Sequence, residues 1–170
     1  MYNMKLVQSD IITQLSQKAS QSWRRRSNYN FHPALDDPIQ RMLNAIEPGS
    51  YIRPHRHAEA DRWEWFQAIT GEAVVLLFDD KGRVSARAEI RPDGPVYGIE
   101  IGGGAWHTIA SLKSGTVLLE IKPGPYKPLE DKDFASWAPP EKDPLCTEYE
   151  ACFHTIRVGQ SPSHIVDAAE

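Results

Sequence analysis

The chain has 170 residues, 41% hydrophobic and 25% charged, enough to bury the core of one domain without disulfide staples. No apolar run approaches the ~18 residues of a membrane span, and a formal net charge of -4 argues against a general polyanion binder. The N-terminal "MYNMKLVQSD" has no charged region leading into a long apolar run, so no secretory signal is visible and the cytoplasm is the expected compartment. Two cysteines, Cys146 and Cys152, fit neither a disulfide framework nor a zinc knuckle and are expected as free or buried thiols.

In chain order, Ser9 to about Arg26 reads as an amphipathic helix. Ser9 or Asp10 can cap it, and Ile12, Leu15, Ala19 and Trp23 make one stripe. The arginines of "WRRR" suit its C-terminal end, and "SNYNFHPALDDP" is expected as loop. The segment "IQRMLNAIEPGSYIRPH" then turns strand-like. Between Trp63 and Tyr126 follow the strand candidates "WEWFQAIT", "EAVVLLF", "RVSARAEI", "PVYGIEI", "WHTIASL" and "TVLLEIK". Short strands with turns at short intervals imply an all-β sandwich or barrel, and Gly82 suits the positive-φ position of the hairpin turn "DDKG". After Lys122, "PGPYKPLEDKDFASWAPPEKDP" carries six of the thirteen prolines and is expected to run extended over the surface. Asp143-Pro144 then opens a short helix carrying Leu145, Tyr149, Cys152 and Ile156 and ending at Gly159, and the last ten residues are expected to fray. The expected organisation is a helical extension over 1–30, a β-barrel over 31–126 and a strap with helix over 127–170.

The chemistry sits in "EPGSYIRPHRHAEADRWEWFQAITG". Residues two apart on a strand share a face, so His55 and His57 point to one place and Arg56 away from it. In "WEWFQAIT", Glu64, Phe66 and Ala68 share a face, and on a neighbouring strand Glu64 can meet the two histidines. Fifty residues after His57, "GIEIGGGAWH" offers His107 behind three glycines that permit a close-packed turn. Three imidazoles and a carboxylate suit Fe(II), Mn(II), Ni(II), Co(II) or Zn(II), so one divalent transition metal is the expected cofactor. Trp63, Trp65 and Trp106 are expected in packing, including packing against a second subunit, and a homodimer is expected.

Gly49, His55-x-His57, Glu64 and Gly71 resemble the first cupin motif, and Gly98 through "GGGAWH" to His107 resembles the second. Further runs, "RRRSNYNFH", "DDPIQRMLNAIEPGSYIRPHRH" and "DFASWAP", look like the WbuC-type cupin metalloproteins, a family found with bacterial surface-polysaccharide genes. This similarity runs from about Ser22 to Pro139. It implies a cupin-type jelly-roll β-barrel with the metal inside, here with an N-terminal helix and a short C-terminal helix.

The gap from His57 to Glu64 is longer than the family's usual spacing, which would fall on Asp61 or Arg62. The count to Gly71 favours Glu64, with Asp61 as the alternative ligand and "AEADR" as a loop insertion. Gly102 and Ser111 replace the usual proline and asparagine of the second motif. A loop offering Asn28, Asn30 and His32, with Arg41 and Arg53 if they point inward, is expected to recognise a small phosphorylated or carboxylated ligand. The functions in view are a metal-dependent enzyme on a sugar or sugar phosphate, such as an isomerase, an Fe(II) dioxygenase, and a non-catalytic binding module.

Overall fold

The computed structural model describes residues 4–163. Helix α1, Ser9–Gln21, buries Leu15 and Ala19 and packs Ile11 and Ile12 against the sheet beneath. It stops short of the expected Arg26. Ser22 turns extended, its backbone N–H closing the last turn on Lys18 and Ala19, and Trp23 is left 68% exposed rather than completing the stripe. Neither Ser9 nor Asp10 caps the helix, since the N-cap position is Gln8.

The "SNYN" segment, expected as loop, is strand β1, Arg26–Asn30. It pairs antiparallel with β2, Ile39–Ile46, with Asn28 opposite Asn44. Asparagine disfavours strands only weakly, and at a sheet edge the ladder offered by a neighbour outweighs that preference.

Six further strands follow: β3 Glu64–Thr70, β4 Ala73–Phe78, β5 Val84–Ile90, β6 Gly98–Ile101, β7 Trp106–Ser111 and β8 Thr116–Pro123. They form two antiparallel sheets, β1-β2-β8-β3-β6 and β5-β4-β7. The last strand lies between the second and third, while β4 pairs with β7. This interleaving of chain-distant strands across two sheets is the jelly-roll arrangement the resemblance implied. His55 adds a short bridge to the smaller sheet, exchanging backbone hydrogen bonds of 3.0 and 2.9 Å with His107.

The run "AVVLLF" is apolar throughout because β4 is covered on both faces. Ala73 and Val75 face the interior between the sheets, and Val74, Leu76 and Phe78 face the C-terminal segment. The turn before β5 needs its glycine twice over. Gly82 has φ +77°, and a Cβ there would lie 2.7 Å from the Trp137 ring.

Past β8 the chain is extended but not merely superficial. Ala135 and Ala138 are buried, Tyr51 donates its hydroxyl to Pro139, and Phe134 bridges to His55. Helix α2, Cys146–Thr155, buries Tyr149, Cys152 and Phe153, with Ile156 just beyond, while Leu145 stays 40% exposed. Gly159 does not end this helix as expected. Its φ of +89° turns the chain back so that residues 159 and 160 bond to Val84. Cys146 and Cys152 are free thiols. Of the segment expected to fray, residues 164–170 lie outside the described residues. No helix among the described residues is long and apolar enough to cross a membrane.

Candidate metal centre

Three pieces of chain deliver the site. β3 opens on Glu64, whose inward parity with Phe66 and Ala68 buries it to 2% exposure. The extended segment before it carries His55 and His57, while Arg56 turns out and stacks 4.3 Å over Trp106. The glycine turn sets His107 at the start of β7: a Cβ on Gly103 would lie 2.2 Å from the Glu59 carbonyl, and the Gly104 N–H donates to His57 at 2.7 Å. Those contacts explain Gly103, which packs against the turn formed by "AEADR", while Gly104 takes a φ of +82°. Asp61 sits exposed in that turn.

His55, His57 and Glu64 each offer one ligand atom, and these atoms lie within 4.8 Å of one another. His107 joins from the other side, its ring centroid 4.5 Å from that of His55 and its Nε2 2.9 Å from Glu64 Oε2. Two backbone carbonyls fix ring orientation: Arg53 accepts from His55 Nδ1 at 3.0 Å and Ala105 from His107 Nδ1 at 2.9 Å. With Nδ1 as donor, Nε2 is the atom each ring presents to the centre, the arrangement metal-binding imidazoles use. Burial, then the neighbouring His107, push the His55 imidazole down to about 3, so it is neutral near pH 7.

Glu64 is a carboxylate despite burial, which raises its pKa. Hydrogen bonding to His107 and His57 and the charge of Lys122 outweigh that and hold it well below the usual range. Its two oxygens differ. Oε1 is 3.2 Å from His57 Nε2 and 3.0 Å from Lys122 Nζ. Oε2 is buried and stands 2.9 Å from His107 Nε2, with no ammonium beside it. Either a proton on Nε2 or a metal ion beside both atoms satisfies this contact. The donor set therefore fits a divalent transition metal, with His55, His57, Glu64 and His107 as the residues able to hold it.

Lys122, Glu120 and Asn44 were not foreseen as part of this neighbourhood. Lys122 bridges Glu64 to Glu120 Oε1 at 2.5 Å, and Asn44 donates to the other Glu120 oxygen. Burial disfavours the Lys122 charge, but Glu120 and Glu64 outweigh it and push its pKa up. The four groups border a cavity of about 560 Å³. Its lining includes Asn30 and His32, together with Gln40, Phe66 and Ile109. A smaller cavity of about 160 Å³ shares His55 and Lys122 with it and is lined also by His57, Arg62 and Trp63.

Arg41 and Arg53 do not point inward. Gln40, Met42 and Asn44 take the inner positions of β2, which sends Arg41 outward to Asp37 at 3.5 Å. The Arg53 guanidinium donates to the Ala138 and Ala135 carbonyls and so ties down the strap.

Residues 7–90 match the model of a family described as "Domain of unknown function (DUF6016)". No curated protein matches the chain. Among solved structures, similar ones include a cupin superfamily protein from Desulfitobacterium hafniense, at 15% identity and TM-score 0.45, covering 58% of this chain and 76% of that one. KdgF from Halomonas sp. has 12% identity and TM-score 0.46, covering 60% of this chain and 82% of that one. An oxalate decarboxylase from Lactobacillus farciminis has 21% identity and TM-score 0.46, covering 66% of this chain but 31% of the decarboxylase.

Proposed function

We propose that the chain is a metal-dependent protein of the WbuC cupin type that binds and transforms a small sugar-like metabolite in the larger cavity, in the service of surface-polysaccharide metabolism. The observation that carries this is the convergence of the His55, His57 and Glu64 ligand atoms within 4.8 Å of one another, with His107 Nε2 2.9 Å from Glu64 Oε2, at the edge of a cavity of about 560 Å³. A divalent ion held there polarises a ligand oxygen or acidifies a bound water.

The chain's own residues set what enters. Asn28, Asn30, Gln40 and Asn44 line the cavity with amides that both donate and accept, and Phe66, Ile52 and Ile109 add apolar surface. Cations along the cavity are already engaged: Lys122 between Glu64 and Glu120, and Arg24 and Arg26 on Glu141. That favours a neutral hydroxylated ligand over the phosphorylated or carboxylated one that free arginines would have selected.

The test is a thermal-shift and calorimetric titration of metal-loaded protein with neutral hexoses and hexose phosphates. Binding of neutral hexoses, abolished by chelation, is expected; binding of neither class, or of phosphates alone, contradicts the proposal. Light scattering checks the accompanying proposal that the molecule is a homodimer, by a mass twice the 19.2 kDa of one chain.

A further inference from the structure

We propose that Lys122 is a positioning residue that commits Glu64 to a single oxygen, Oε2, at the metal centre, with Glu120 and Asn44 holding the lysine in place. This rests on the metal reading above.

A carboxylate beside a metal ion can bind through one oxygen or through both, and which it does depends on what else holds each oxygen. Here the two are unequal. Each oxygen has one imidazole beside it, His57 Nε2 at 3.2 Å from Oε1 and His107 Nε2 at 2.9 Å from Oε2, but only Oε1 also has an ammonium, Lys122 Nζ at 3.0 Å. An ammonium seated on Oε1 both occupies that oxygen and repels a dication approaching it.

Lys122 has little freedom to leave. Its side chain is 21% exposed, those of Glu64 and Glu120 are 3% and 8%, and it contacts Glu120 Oε1 at 2.5 Å. Asn44, one strand over on β2, donates to the second Glu120 oxygen, so the chain Asn44, Glu120, Lys122, Glu64 crosses three neighbouring strands. A long flexible side chain is thereby fixed at both ends, and its target carboxylate is fixed with it.

The probe is Co(II), whose visible absorption and X-ray absorption report coordination number and oxygen count. Relative to wild type, Lys122→Met frees Oε1, and the expected result is a gain of one oxygen in the coordination shell with a weaker visible band. Lys122→Arg keeps a donor on Oε1 and is expected to retain the wild-type spectrum. Glu120→Gln, which loosens the lysine without emptying its site, is expected to shift the spectrum in the same direction as Lys122→Met and serves if that variant fails to fold. Spectra of Lys122→Met and Glu120→Gln that both superimpose on wild type overturn the inference while leaving the metal reading intact. Failure of the wild-type protein itself to bind Co(II) overturns both.

Discussion

The interior between the two sheets has two ends of opposite character, and the same strands build both. Following inward-facing positions, β3 passes from Glu64 to Phe66 and Ala68, and β8, running the other way, passes from Lys122 and Glu120 to Leu118. β7 goes from His107 to Ile109, and β2 from Asn44 to Ile46. The closed end gathers Ile46, Phe66, Ala68, Val75, Ile90, Ile101, Ile109 and Leu118 into one apolar cluster. The open end gathers imidazoles, carboxylates and an ammonium. One end is where burial stabilises the fold; the other buries charged groups that would be costly without a partner, and sets each beside one. Stability and ligand binding should therefore respond to different substitutions.

The largest effects are expected at the open end and on metal content. Alanine at His55, His57, Glu64 or His107 removes one of few donors, and each should weaken metal binding by about a hundredfold or more, read as metal retained after gel filtration. Asp61→Ala, in the exposed turn, should retain the metal; loss there with retention in Glu64→Ala would exchange their roles. At the closed end, Phe66→Ala should cost about 3–5 kcal/mol in denaturant unfolding, with metal content per folded molecule unchanged. If metal content falls in step with stability, the two ends are not separable.

Smaller effects are expected outside the barrel interior. Leu15→Ala removes a buried side chain between α1 and the five-stranded sheet and should cost about 2 kcal/mol, the lower part of the range for such truncations because a terminal helix can settle into the gap. Smallest is the pH effect at Glu141. Partial burial raises its pKa, but hydrogen bonding to Arg24 and the nearby Arg26 charge prevail and hold it below the ordinary 4.5. A depressed folded-state pKa gives stability that is present above that ordinary value and lost as pH falls through the folded one. The urea midpoints of wild type and Glu141→Gln should therefore differ at neutral pH and converge in acid; a constant gap contradicts this.

Much of the fold was legible because β patterning is local. The six strands from Trp63 onward and the Gly82 turn needed only alternation and turn chemistry. What misled was tertiary. β1 is a strand because β2 lies beside it, not because "SNYN" favours one, and Gly159 serves a turn back to Val84 rather than the end of α2.

At the site, His55, His57, Glu64 and His107 stood out by spacing and by the glycines that bring His107 close. Lys122 and Glu120 did not. In "TVLLEIK" ordinary alternation would face Leu119 and Ile121 inward and the charges to water. The outer face of that sheet is covered by α1, which packs on Val117 and Leu119, so the apolar set is buried outside the barrel and the charged set turns in. Nothing in the β8 sequence alone carries that inversion.

The central claim is that the donors around Glu64 hold a divalent metal, and elemental analysis of the purified protein, with melting temperature before and after chelation, tests it most directly. About one transition-metal ion per chain, with a melting temperature that falls on chelation and recovers when Fe, Mn, Ni, Co or Zn is returned, is the predicted result. No bound metal and a melting temperature indifferent to every one of these ions would contradict it.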